Sequence, residues 1–393
     1  MLNGIEHWMV VNDRPNVRIV RGRASRLEDD AGRVFLDFIQ GWAVNCLGHS
    51  PEVIRQALIA QADAVINVGP ALYNAPALSL AAALAGASGL DRVFLANSGA
   101  EANEGAVKLA RRWGQKHRAG AYEVITTTDG FHGRTMAMTC ATGKAGWDSA
   151  FPPKVDGFPK VPYGDLAAIR ASITDRTVGV MVEPIQGEAG VVMPEPGYLR
   201  GIREICDEAG ILFLCDEVQT GLCRTGPRFA FQMEDVLPDI LTLGKGLGGG
   251  LPVAALLAKE NVACFERGDH GSTFGGNALM ASAALAVVST LLSPSFERTR
   301  AASSAKLEAA LASVATTHGA SLRGRGHLFA IVFDRPISTS IVARAFELGL
   351  LLNAPRPNVL RFMPALDVDD ASIDEMAMLL DRAIRDLAPR PVA

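Results

Sequence analysis

Between about residues 50 and 275 the chain alternates short apolar or β-branched runs with longer stretches that have one polar and one apolar face. The runs are RVFLAN (92–97), EVITTT (123–128), VGVMVEP (178–184), ILFLCDE (211–217), DILTLG (239–244) and VAALLA (253–258). Between them lie stretches at helical spacing, such as SGAEANEGAVKLARRWGQKH (98–117) and GYLRGIREICDEAG (197–210). Uninterrupted apolar runs suit strands buried on both faces, and parallel strands need a helical crossover to connect them. The pattern therefore predicts an α/β fold: a mostly parallel sheet with helices on both faces. The last third reads differently. A helix near 297–316 leads to the strand LFAIVF (328–333), a helix, the strand VLRFMPAL (359–366) and a closing helix at 370–387. This predicts a smaller α+β unit. We expect residues 1–50 to pack with that small domain, residues 51–279 to form the large ligand-binding domain, and residues 280–393 the small one.

A chain of 393 residues exceeds what one simple core serves, which fits two domains. Its 38 basic and 42 acidic residues are mixed along the length, for a net charge of −4, so neither nucleic acid nor a membrane surface is an expected partner. The six cysteines, Cys46, Cys140, Cys206, Cys215, Cys223 and Cys264, include no C-x-x-C pair. No metal site is expected, and their apolar settings suit reduced thiols in a cytoplasmic protein. The N-terminus lacks a charged-then-apolar signal. The stretch LMASAALAVVSTLL has 14 residues, short of a membrane span, and reads as a buried helix.

In an open α/β sheet, ligands bind beyond the carboxyl ends of the strands, and the unusual polar residues fall there. DILTL runs into Gly244-Lys245-Gly246-Leu247-Gly248-Gly249. This satisfies G-x-G-x-x-G, but Gly250, Leu251 and Pro252 follow, with no helix to receive a pyrophosphate. A phosphate loop would need Ser or Thr after the lysine. Two readings remain open on this stretch alone: a surface-turn lysine, or a lysine in a dry pocket, made nucleophilic by burial. RVFLAN runs into Ser98-Gly99-Ala100-Glu101, a capping-box spacing that is either a plain helix cap or a phosphate seat. EVITTT runs into Asp129-Gly130-Phe131-His132-Gly133-Arg134, which suits a planar ring and an anion, or an ordinary loop. VGVMV ends in Glu183, with Glu188 following. ILFLC ends in Asp216, a carboxylate that is costly to bury unless it is paired with a cation or a protonated ring nitrogen.

Seven strings occur in one order: NSGAEANE, GFHGRT, EPIQGEAG, DEVQTGLCRTG, LTLGKGLGGGLP, GSTFGGN and LRFMPAL. In content and order they resemble the class III (ornithine-type) aminotransferases, pyridoxal-phosphate enzymes of fold type I, over nearly the whole chain. The resemblance implies a ping-pong transfer of an ω-amino group to 2-oxoglutarate in a homodimer with shared sites. It is strongest for the branch that uses N2-acetyl-L-ornithine in arginine biosynthesis. Ornithine, succinyl-diaminopimelate and 4-aminobutyrate are the alternative donors. It further implies that Lys245 binds pyridoxal 5'-phosphate covalently and shuttles the proton, that Asp216 pairs with the ring nitrogen, and that Glu183 belongs to the catalytic group. Phe131 and Val218 would contact the ring, Gln219 would lie near the phenolic oxygen, and Gly99 and Ala100, beside Ser98, would meet the phosphate. Thr273, with Ser272, would reach into the neighbouring subunit's site. Arg134 would hold the α-carboxylate of the donor, Arg361 that of glutamate, and Glu188 would cover Arg361 when the ω-amine substrate is bound. Three positions depart from the family pattern: Ala100 for a frequent threonine, Cys223 for glycine, and Ala278 for proline after Asn277. None removes a catalytic group.

Overall fold

A computed structural model describes residues 4–147 and 149–387. The six apolar runs of the sequence are strands of one sheet, joined by a short seventh. In chain order these are β1 (Arg92–Ala96), β2 (Glu123–Thr127), β3 (Lys160–Val161), β4 (Thr177–Val182), β5 (Leu212–Asp216), β6 (Ile240–Leu243) and β7 (Ala254–Ala258). Across the sheet they lie in the order β1-β7-β6-β5-β4-β2-β3. Pairing is parallel from β3 through to β6, and β7 alone runs the other way, antiparallel to both β6 and β1. The turn after Lys245 is too short for a crossover helix. It is one 3-10 turn, Lys245–Gly248, and the chain returns directly as β7.

Strand pleating divides the apolar side chains between two cores. Phe213, Cys215, Leu241 and Leu243 join one cluster, and Leu212, Leu214 and Ile240 join the cluster beneath the helix Gly99–His117. The stretch 279–292 is a buried helix, Ala278–Leu291, packed on the helices Glu52–Ala64 and Ala75–Ser88. Ala278 is its first residue after the Asn277 cap, where proline is also well suited because the N–H there has no helical partner. Cys223 sits at φ +67°, left-handed backbone that explains the preference for glycine there. All six cysteines are free thiols.

The C-terminal part is an antiparallel sheet in the order Ser321–Arg325, Leu328–Val332, Val359–Phe362, Asn353–Arg356, covered by the helices Pro294–Thr317, Ser338–Glu347 and Asp370–Arg385. The N-terminal strands Ile19–Arg23, Arg26–Asp29 and Val34–Asp37 form a meander that the sequence pattern does not reveal, since the first is largely exposed, the second is mixed in polarity, and the buried third is only four residues long. Val34–Asp37 pairs in parallel with Leu350–Leu351, and Leu36 and Phe38 share an apolar cluster with residues 307–384.

Candidate active site

Parity along the strands decides which polar residues meet. On β5, residues 212, 214 and 216 face the helix Gly99–His117, and on β6 residues 240 and 242 do the same. Asp216 and Thr242 are thus delivered to the surface that Asn103 presents one helical turn before Ala106 and Val107. Asn103 Nδ2 donates to Asp216 Oδ2 at 2.8 Å, and Thr242 Oγ1 donates to Asn103 Oδ1 at 2.6 Å. His132 Nδ1 donates to the same Asp216 oxygen at 2.7 Å, and the Val218 N–H to the other at 3.0 Å. Asp216 is almost fully buried, so these donors supply what water would otherwise provide. Burial works against the imidazolium form of His132, but the hydrogen bond and charge of Asp216 outweigh it and raise its pKa above the ordinary value. Its Nε2 is buried without a partner among the described residues. Asn103, His132 and Thr242 are site residues to which the sequence alone assigned no role. Asn103 could have been found from its place in the strand-end helix, but Thr242 depends on the pleat.

Lys245 begins the 3-10 turn at φ +41°, a conformation unfavourable for any side-chain-bearing residue and held by its surroundings. Among the described residues no hydrogen bond or ion pair engages its ammonium. Burial pushes its pKa below the usual lysine range, against the pull of Glu188, Glu183 and Asp216. Glu183 accepts from the Phe131 N–H at 2.8 Å. Burial lifts its carboxyl to about 7, while His132 and the Phe131 N–H act in the opposite sense.

Lys245, Asp216, Glu183, Glu188, Phe131, Arg134, Val218, Gln219, Gly99 and Ala100 all line one cavity of about 280 Å³. Ser98 caps the helix through the Glu101 N–H at 3.3 Å, but Glu101 reaches back to Asn97 rather than to Ser98. The capping box is therefore displaced by one residue. Gly99 and Ala100, whose N–H groups have no partner inside the helix, line the cavity. A Cβ on Gly99 would stand 2.7 Å from Val218 Cγ1, and one on Gly187 would collide with Gln219 Oε1 at 1.7 Å. These glycines let the helix start and the Gln219 side chain come close.

The two arginines differ. Arg361 is fully buried. Its Cα pairs across the sheet with Asn353, whose Oδ1 accepts from Nε at 3.0 Å. Its Nη1 donates to Glu188 at 2.7 Å and to Gln219 at 3.3 Å. Burial favours the neutral form of Glu188, yet Arg361 and Lys245 hold its carboxyl down at about 2. Arg134 is exposed, and its guanidinium lies over the Trp147 and Phe131 rings. Ser272 and Thr273 do not join this cavity: Ser272 Oγ accepts from Asn97 Nδ2 at 3.2 Å, and Thr273 is exposed.

A fixed carboxylate, a lysine unpartnered among the described residues and a helix N-terminus share one cavity at the strand ends of a type I fold. The family model for class III aminotransferases matches residues 9–384, and the chain belongs to that family of transaminases. It is 52% identical to acetylornithine aminotransferase 2 of Bordetella bronchiseptica over 380 residues, covering 96% of each chain. It is 48% identical to acetylornithine aminotransferase of Ralstonia nicotianae, again over 96% of each. Among solved structures, N-acetylornithine aminotransferase from Stenotrophomonas maltophilia superposes with a TM-score of 0.85 at 34% identity, over 98% of this chain and 99% of that one. Ornithine aminotransferase from Toxoplasma gondii gives 0.91 at 31% identity, over 97% and 93%. A second structure of that Toxoplasma enzyme is described as having partial occupancy of PLP at its active site.

Proposed function

We propose that this transaminase moves the ω-amino group of N2-acetyl-L-ornithine to 2-oxoglutarate, giving N-acetylglutamate 5-semialdehyde and L-glutamate, as a step of arginine biosynthesis. The observation that carries the reading is the pair of unlike arginines around one lysine. Arg361 is buried and sheathed by a carboxylate, whereas Arg134 stands open at the mouth. Two substrates that share a reacting amine but carry their α-carboxylates at different distances from it need two such anion sites. Glu188 neutralises Arg361 while the donor is bound and yields it to the α-carboxylate of glutamate, so the buried guanidinium is never left without an anion.

The residues fit pyridoxal 5'-phosphate. Gly99 admits no Cβ beside Val218, so the backbone N–H groups at the helix start stay open to a phosphate. Asp216, held by three donors, would face the ring nitrogen. Phe131 and Val218 would flank the ring, Gln219 would lie beside its oxygen, and Lys245 would hold the group covalently. When bound, the group supplies an electron sink and carries the amino group between the half-reactions. Lys245 then moves the substrate proton, its ammonium already destabilised by burial. Glu183 fixes the backbone of Phe131. We further propose a cytoplasmic homodimer in which the exposed Thr273, with Ser272, serves the neighbouring subunit's phosphate, with neither membrane nor nucleic-acid partners. The division into residues 1–50, 51–279 and 280–393 belongs to the same proposal, although the packing of Ala278–Leu291 on the large core favours drawing the second boundary one helix later.

The test is a visible spectrum of the enzyme loaded with cofactor. N-acetylornithine alone should bleach the cofactor band, and 2-oxoglutarate should restore it. Lys245→Ala should slow both changes by several orders of magnitude, because one group serves as both covalent anchor and proton shuttle. A Lys245→Ala enzyme with near-normal turnover would remove the mechanism. A wild-type enzyme that ignores N-acetylornithine but reacts quickly with 4-aminobutyrate, ornithine or succinyl-diaminopimelate would reassign the donor.

A further inference from the structure

Arg134, which lines the cavity, Arg356 and the buried Arg361 all lie within electrostatic reach of Lys144, as does Glu188 from the cavity wall. Two of these cations are already neutralised, Arg361 by Glu188 at 2.7 Å and Arg356 by Asp129. Arg134 and Lys144 have no carboxylate within ion-pair distance among the described residues. Both rest instead on the same two aromatic rings, Phe131 and Trp147, which meet edge to face with centroids 6.0 Å apart. Arg134 Cζ lies 5.8 Å and 4.8 Å from the two centroids, and Lys144 Nζ lies 5.5 Å and 4.9 Å from them. A ring face positions a cation without cancelling its charge, so both remain available to a visiting anion. A second cavity of about 300 Å³, lined by Arg134, Thr139, Trp147, Ala150 and Phe151, adjoins the first at Arg134 and includes the Trp147 ring on which Lys144 rests.

We propose that Lys144 is a second carboxylate-binding cation of the donor site, sharing with Arg134 the α-carboxylate of the ω-amino donor. The inference rests on the function proposed above, in which the donor offers its amine to Lys245 and its carboxylate to the outer wall. The electrostatics agree with it. Burial pushes the Lys144 ammonium below the ordinary lysine range, and Arg134, Arg356 and Arg361 push it further, with Glu188 opposing. An anion arriving between these cations relieves their mutual repulsion. Nothing in the family strings marks Lys144, because it lies ten residues beyond Arg134, between Gly143 and Gly146, in a stretch that follows no strand end. Only the Phe131–Trp147 contact brings the two cations to one place.

The test compares two donors in the loaded enzyme by single-turnover bleaching of the cofactor band. N-acetylornithine carries the carboxylate, and N-acetylputrescine has the same amine and amide without it. Lys144→Met keeps most of the length of the unbranched side chain and removes the charge. It should lower kcat/KM for N-acetylornithine roughly ten- to a hundredfold, the range of one charged hydrogen bond. The loss should appear chiefly as a higher half-saturating concentration, and N-acetylputrescine should be unaffected. Lys144→Arg should recover most of the loss. Equal losses on both donors, or a loss below about threefold on N-acetylornithine, would overturn the assignment. If the wild-type enzyme rejects N-acetylornithine, it is the proposed substrate that fails. The role of Lys144 is then decided with the carboxylate-bearing donor that the enzyme does accept, compared with its decarboxylated counterpart, for example ornithine with putrescine.

Discussion

Removing the Glu188 carboxylate should leave a fully buried guanidinium facing only neutral acceptors. In Glu188→Ala, Arg361 keeps Asn353 Oδ1 at 3.0 Å and Gln219 Oε1 at 3.3 Å, while its Nη2, already without a partner among the described residues, gains none. The cost can be worked in two ways. A carboxyl held at about 2, against an ordinary value of about 4.3, has its charged form stabilised by about 3 kcal/mol at neutral pH. Breaking a buried ion pair by deleting one partner typically costs about 3–5 kcal/mol. The two agree, and we expect a loss of about 3 kcal/mol at pH 7. Because the Glu188 pKa is lowered on folding, this contribution is complete above about pH 4.3 and disappears as the pH falls toward 2. The assay is urea unfolding of cofactor-free wild type and Glu188→Ala at pH 7, repeated with saturating 2-oxoglutarate. A dicarboxylate that takes the place of Glu188 beside Arg361 should protect the variant more than the wild type. A loss below about 1 kcal/mol, or equal protection of both proteins, would refute the view that Arg361 is a buried cation awaiting an exchangeable anion.

Gly99→Ala should place a methyl 2.7 Å from Val218 Cγ1, force the helix start away from the cavity at a cost of about 1–3 kcal/mol, and loosen cofactor retention on dialysis. Adding Val218→Ala should restore part of it, and unchanged retention in Gly99→Ala would argue against this phosphate seat. Glu217, buried with its carboxyl lifted to about 7, contributes stability below about pH 4.3 that is lost as the pH rises through 7. Glu217→Gln should therefore flatten the decline of stability between those values by up to one proton's worth of slope. An unchanged pH profile would mean that the group is ionised throughout.

The large sheet was legible because its strands are buried on both faces and so are nearly all apolar, interrupted by helices with clear polarity. The N-terminal meander and the short strands at 350–356 were not, since half-exposed edge strands of mixed polarity carry no signal that distinguishes them from loops. The reversed direction of β7 does not show in its apolar run, but it follows from the lack of a helical stretch between β6 and β7, since a parallel return needs a crossover.

At the site, sequence by itself determined which residue types stand at the strand ends. Lys245, Asp216, Glu183 and the glycine at 99 follow from local runs and turns, and the ordered strings carry the family. Tertiary structure decided which of them touch. The pleat placed Asp216 and Thr242 on the face covered by Asn103, and the cross-strand register put Asn353 beside Arg361. Packing between the two parts of the chain brought Glu188 to Arg361 across 173 positions. Within residues 131–147, the folding of the loop and its short helix set Lys144 on the two rings that carry Arg134. Local sequence fixes backbone preference within a few residues, whereas the pairing of buried charges depends on which distant surfaces exclude water together.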